Sequence, residues 1–221
     1  MSTLRHLWPR GLYGLPMAIT GCPKSRDFEW QSGYRFQDLE DNTKQTSRSA
    51  VFHLAAHIVN GDVDQLYCIK DTVVKDKDLP LWPKGKYCIY QRGTKCPETD
   101  GKFQAGFVLW DDENGSENHK NLNKKSGVLP AGKFDNDTLI RFCCQVNGSQ
   151  TNPINLPVED PFYLIFYEKN KCQEVFGTFH IKENIRYDTE ETNNHDAVGV
   201  PYPARAIEKL PYIDYCYYQR K

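Results

Sequence analysis

The chain lacks any apolar run near the ~20 residues that a helix needs to cross a bilayer. Its longest apolar runs, such as residues 162–167, are far shorter. Residues 1–7 contain no apolar core of a secretory signal, so a signal was either removed or never existed. Lys and Arg number 28 against 29 Asp and Glu, a formal net charge of −1. With no basic surplus to neutralise phosphates, nucleic acid and anionic membranes are poor partners. There is no Cys-X-X-Cys pair, hence no zinc-type spacing. Gly-X-Ser-X-Gly and phosphate-cradling Gly-X-X-X-X-Gly-Lys motifs are missing as well. His53 and His57 stand four apart, but the intervening Leu54-Ala55-Ala56 lacks the glutamate of a metalloprotease helix, which favours ordinary core or surface histidines. No stretch has clean 3.6-residue periodicity, and the best helix candidate, residues 49–57, reads equally as a strand.

What is present is a cysteine-rich chain of 221 residues, long enough for one well-buried core. Cys22, Cys68, Cys88, Cys96, Cys143, Cys144, Cys172 and Cys216 form an even set. Disulfides in an extracellular protein account for them better than buried free thiols in the cytosol, and disulfide use argues against a catalytic cysteine. Asn-X-Ser/Thr sequons at Asn114, Asn136 and Asn147 are glycosylation candidates that fit secretion. Short segments rich in β-branched and aromatic residues, punctuated by Pro and Gly, read as strands. The predicted fold is mostly β, an antiparallel two-sheet sandwich stabilised by disulfides, with little helix. Cys88 and Cys96 flank a turn-like stretch, so a local Cys88–Cys96 bridge is expected. Adjacent Cys143 and Cys144 should point to opposite faces of a strand and reach different partners.

A repeat organises the first half. Trp8-Pro9-Arg10-Gly11-Leu12-Tyr13, followed after eight residues by Cys22-Pro23, recurs 74 residues later as Trp82-Pro83-Lys84-Gly85-Lys86-Tyr87 and Cys96-Pro97, with seven identities in sixteen positions. Pro and Gly make this a β-turn leading into a strand. Partial echoes start at Leu129-Pro130 and Tyr202-Pro203, each with a cysteine 14 residues on. Duplication of a unit and simple reuse of a turn-strand-cysteine device both account for the pattern.

Three strand-like segments end in acidic turns: Asp38-Leu39-Glu40-Asp41-Asn42, Asp111-Asp112-Glu113-Asn114 and Asp188-Thr189-Glu190-Glu191-Thr192-Asn193-Asn194. The second follows Trp110. Carboxylates and an amide beside an exposed indole would suit a sugar, so Trp110, Asp111, Asp112, Glu113 and Asn114 form the candidate ligand site. Such oxygen-rich turns could hold calcium, although they do not match the EF-hand spacing. Solvated loop tips are the bland alternative. No other cofactor or metal is expected.

Taken together, Trp8-Pro9 with Tyr13-Gly14-Leu15-Pro16 and Gly21-Cys22-Pro23, Gln37-Asp38-Leu39-Glu40, Trp82 to Tyr90, Trp110 to Asn114, Gly127 to Gly132, Phe142-Cys143-Cys144 and Tyr215-Cys216-Tyr217-Tyr218 resemble the apextrin C-terminal (ApeC) domain of invertebrates. The similarity covers residues 8–218 as a single domain, leaving 1–7 and 219–221 as short terminal extensions. It implies a non-catalytic recognition module of innate immunity that binds bacterial peptidoglycan and its muramyl dipeptide unit. Relatives in the family are also associated with eggs and development, so a structural or signalling module that contacts protein partners is the alternative. A glycan hydrolase is disfavoured for want of a catalytic signature.

Overall fold

The computed structural model describes residues 6–39, 45–73, 76–112, 121–167, 171–189, 194–203, 205–206 and 211–221. Within these, fourteen antiparallel strands and a single 3₁₀ turn at Asp76–Asp78 make up the regular structure. The strands fall into three successive units. The first holds β1 (Tyr13–Pro16), β2 (Gln31–Gln37), β3 (Ser47–Arg48), β4 (Ala56–Val59) and β5 (Asp62–Lys70). Next come β6 (Tyr87–Gln91), β7 (Phe103–Trp110), β8 (Lys124–Gly127), β9 (Gly132–Phe134) and β10 (Thr138–Gln145). The third has β11 (Phe162–Phe166), β12 (Thr178–Arg186), β13 (Ala197–Gly199) and β14 (Tyr212–Arg220).

The units share one register. Each long last strand is flanked by the first and second strands of its own unit, and a cysteine sits at the same rung every time. Cys68 faces Leu15 on one side and Ser32 on the other. Cys143 faces Ile89 and Ala105, and Cys216 faces Leu164 and Lys182. Each of these cysteines is bonded to the one that follows its unit's first strand, giving Cys22–Cys68, Cys96–Cys143 and Cys172–Cys216 with separations of 46, 47 and 44 residues. The unit that appears twice in the sequence therefore occurs three times in the fold. The Trp-Pro turn also recurs in detail, since Tyr13 Oη donates to Pro9 O at 3.0 Å and Tyr87 Oη to Pro83 O at 2.7 Å. Phe162 holds the corresponding place in the third unit and has no hydroxyl to give.

A fourth strand is exchanged between units in a cycle. β8 of the second unit pairs with β2 of the first, β13 of the third with β7 of the second, and β3 of the first with β12 of the third. The result is three four-stranded walls, β1-β5-β2-β8, β6-β10-β7-β13 and β11-β14-β12-β3, joined through β6; with β4 added on β5 and β9 on β10 they make one fourteen-stranded sheet. β6 pairs with β1 at Tyr90–Gln91 and with β11 at Tyr87–Cys88. β1 and β11 lie side by side without a ladder. There Pro16, which has no N–H to donate, stands where Tyr90 and Ile165 stand at the other two junctions. The facing layers expected of a sandwich are thus walls of one sheet, three in number.

Both faces of the central strands are buried. Alternate residues feed two apolar clusters, so that Cys88 and Tyr90 join one while Tyr87 and Ile89 join the other. Cys143 and Cys144 behave as expected, pointing to opposite faces and bonding Cys96 and Cys88 respectively. The expected Cys88–Cys96 bridge is not formed. Cys88 lies directly across the β6–β10 ladder from Cys144, whereas Cys96 reaches the other face of β10. All eight cysteines are bonded. Residues 49–57 form no helix, and the chain there runs irregularly into β4. The echoes at Leu129 and Tyr202 correspond to each other and to Leu54, each 14 residues before a long strand's cysteine. They are not copies of the Trp-Pro turn.

Candidate functional site

The three acidic turns occupy equivalent places, because Asp38, Asp111 and Asp188 each follow the second strand of a unit by the same offset from the central rung. All three are buried. Each carboxylate accepts the backbone N–H at the start of the segment that brings in an exchanged strand: Asp38 from Leu122, Asp111 from His195 and Asp188 from Gln45. Each aspartate's own N–H donates to the next side chain along, Asn123 Oδ1 at 2.8 Å, Asp196 Oδ1 at 2.8 Å and Thr46 Oγ1 at 3.3 Å. A buried carboxylate is tolerated only when it is hydrogen-bonded, and here it is bonded by the chain itself. These acids clasp unit one to unit two, two to three and three back to one.

Trp110 closes β7 only 2% exposed, with its ring centroid 5.2 Å from that of Tyr187. It belongs to the core and cannot stack on a sugar. Asp112 is 0% exposed and gathers Arg35 Nη2 at 3.2 Å, Gln37 Nε2 at 2.7 Å, Asn123 Nδ2 at 3.0 Å and the Thr138 hydroxyl. Burial pushes its carboxyl up to about 7 against these donors, and burial likewise lowers Arg35. Trp110, Asp111 and Asp112 are therefore structural, correcting the expectation of a sugar site there; Glu113 and Asn114 lie outside the described residues. Asn136 and Asn147 are exposed, as glycan carriers need to be. His53 and His57 are apart in role. His53 meets buried Glu183 at 2.6 Å and stacks on Tyr217 at 4.3 Å, while exposed His57 meets Asp64 at 3.0 Å. Among the described residues no group of three or more His, Cys, Asp or Glu could hold a metal ion.

Two accessible concavities lie at the other end of the strands, where the turn before one unit's first strand meets the loop after the first strand of another. Between the first and second units, residues 10–12 face residues 92–98 across a cavity of about 510 Å³. Gly11, at φ 98°, makes the approach possible, since a Cβ there would lie 2.4 Å from Pro97 Cβ. Four cations line this seam, Arg10, Lys77, Arg92 and Lys95, against the single acid Glu98, with Leu12 and Val73 supplying an apolar wall. Arg10 pairs with Glu98. Arg92 holds Asp71 through two bonds of 2.7 and 3.0 Å, and that hydrogen bonding keeps the Asp71 carboxyl below its usual range. Lys77 and Lys95 are exposed, and among the described residues no acid pairs with either.

The seam between the third and first units has a cavity of about 240 Å³ with the signs exchanged. Glu159 stands in the place of Arg10, Lys24 in that of Glu98, and Asp160 accepts the Lys24 N–H at 3.0 Å. Sequence reading missed these seams because they join residues far apart in the chain, Arg10 with Lys95 at 85 positions and Lys24 with Asp160 at 136, though the shared Gly of the two Trp-Pro turns was a usable signal for the first.

The model of the family described as the C-terminal domain of apextrin (ApeC) matches residues 8–218, and the chain belongs to that family. No curated protein and no solved structure matches it.

Proposed function

We propose that this chain is a secreted, non-catalytic pattern-recognition module that binds bacterial peptidoglycan, including its muramyl dipeptide unit, in innate immunity, and that it does so at the seam between the first two units. The observation that carries this reading is the cavity with four cations, one acid and an apolar wall. Muropeptides carry carboxylates on short stems with apolar side chains, which suits such a lining. Family membership and four disulfides agree with an extracellular setting. An exposed ion pair contributes about 0.2–1 kcal/mol, so useful affinity arises from several contacts along a polymer.

Pull-down on insoluble peptidoglycan tests the proposal. The wild-type chain is retained, and Lys77→Glu with Lys95→Glu lowers retention at least about tenfold, equivalent to ~1.4 kcal/mol. No wild-type retention refutes the function, and unchanged retention of the variant refutes the site. A chelator arm reads any dependence on calcium, and release of soluble muropeptides would reveal hydrolysis. One feature favours the alternative of a protein-contacting module: Phe176 and Phe179 are 68% and 43% exposed on either side of the turn at Gly177. Failure to bind any glycan, with a stable protein partner lost in Phe176→Ser, would support that reading.

A further inference from the structure

The seam between the second and third units repeats the cation pair of the first. Lys84 stands where Arg10 stands, three residues before the first residue aligned in its unit's first strand. Lys171, just before Cys172, stands where Lys95 stands before Cys96. The two glycines face corresponding residues: a Cβ on Gly85 would lie 2.6 Å from the side-chain Oε1 of Gln173 and one on Gly11 2.4 Å from Pro97 Cβ, and Gln173 and Pro97 each follow the corresponding cysteine. Gln173 Oε1 also accepts the N–H of Lys86 at 2.8 Å. Lys84 and Lys171 are exposed, and among the described residues neither is ion-paired. Lys86 Nζ lies 5.4 Å over the half-buried ring of Tyr167, which gives this seam an aromatic side. The seam between the third and first units offers no such pair, having Glu159 and Gly21 at the two positions.

We infer that the second seam is a further subsite for a carboxylate-bearing group, so that the module holds a polymer of such groups at two points. The inference rests on reading the first seam as an anion site. Two cations at equivalent places on a triplicated scaffold present two similar electrostatic sinks in fixed relation. A polymer engaging both gains from effective concentration without any new contact. The mixed-charge third seam serves as an internal control on the same molecule.

Amide chemical-shift mapping with acetyl-D-alanyl-D-alanine as a monovalent carboxylate probe, and its C-terminal amide as the neutral control, tests this. The carboxylate is expected to perturb residues 84–86 and 171–173 as well as 10–12 and 95–98, and to leave 159–160 unaffected; the amide perturbs none of them. On insoluble peptidoglycan, Lys84→Glu with Lys171→Glu should weaken retention about 100-fold, as loss of one of two linked sites does. Perturbation confined to the first seam, equal perturbation by the amide, or unchanged retention of this variant overturns the inference. Absence of wild-type retention on peptidoglycan would instead refute the ligand proposed above, and the dipeptide titration would still decide whether two carboxylate subsites exist.

Discussion

Replacing Asp188 should unlatch the ring where its two most distant units meet. Its buried carboxylate accepts the N–H of Gln45, 143 residues away in sequence. Around it, Arg186 donates to Gln45 O, Ser49 N–H reaches Asn184 O at 3.1 Å, and β3 adds the rungs Arg48–Ile185 and Ser47–Arg186. A hydrogen bond to a charged group contributes about 1.5–3 kcal/mol and a neutral one about 0.5–1.5. Asp188→Ala, which also leaves the Gln45 N–H unanswered, should therefore cost about 2–3 kcal/mol. Asp188→Asn keeps the volume and an acceptor and should cost about 1 kcal/mol. Urea unfolding with the disulfides intact measures the total, and hydrogen exchange resolved by peptide measures the place. Residues 45–49 should lose protection while the β6–β10 ladder keeps it. The equivalent changes Asp38→Ala and Asp111→Ala should cost the same within about 1 kcal/mol, releasing residues 122–126 and 195–199. A cost under about 0.5 kcal/mol for Asp188→Ala, or unchanged exchange at 45–49, refutes the clasp.

Gly33 and Gly106 are equivalent crossing points of exchanged strands, and a Cβ at either would lie 2.1 Å from Val128 O or 1.6 Å from Pro201 O. Gly106→Ala should lower stability by about 2–3 kcal/mol in the same urea assay, because a backbone neighbour cannot move aside as a flexible side chain can. Asp112 gives a pH signature: its carboxyl is raised to about 7 from 3.8, so its contribution is fully present below about pH 4 and is lost as pH rises through 7. Asp112→Asn should accordingly gain on the wild type between pH 4 and 8 in thermal melts, and a difference constant with pH would count against the assignment. Removing Cys88 and Cys144 together, a bridge of 56 residues' separation, should cost about 4 kcal/mol in chain entropy. Mass spectrometry should then find the other three bridges intact and no free thiol.

The β class, the use of the cysteines in disulfides and the Trp-Pro unit were legible because they rest on composition, an even cysteine count and local spacing. The third copy was not, since its first strand is preceded by Leu156-Pro157 with no tryptophan and starts at Phe162 instead of tyrosine. Its signature was the near-equal cysteine spacing, which becomes readable only once connectivity is known. The acidic turns were recognised as a set of three, but the second was assigned to a ligand instead of to backbone. A sequence shows that a carboxylate follows a strand; it does not show that another unit's N–H groups arrive to meet it. The local Cys88–Cys96 bridge failed for a related reason, since short separation along the chain competes with partners that strand pairing places directly opposite.

Comparing the three units with one another separates what the architecture requires from what it leaves free. At the clasp end the same residue, aspartate, recurs in all three, because the same task of meeting a buried N–H recurs. The bonded cysteine at the central rung is likewise common to all. At the seam end the corresponding positions carry Arg10, Lys84 and Glu159 on one side and Lys95, Lys171 and Gly21 on the other. All are on turns or loops at the surface; Gly21, at φ 93°, is favoured as glycine by its backbone, whereas the other five have no positive φ. Differences among copies of one scaffold at such positions are where binding specificity can be set without cost to the fold. If the seams were merely solvated, reversing the Lys84 and Lys171 charges would alter neither stability nor retention on peptidoglycan. The expected outcome, unchanged stability with weakened retention, is one that only a ligand-contacting role produces.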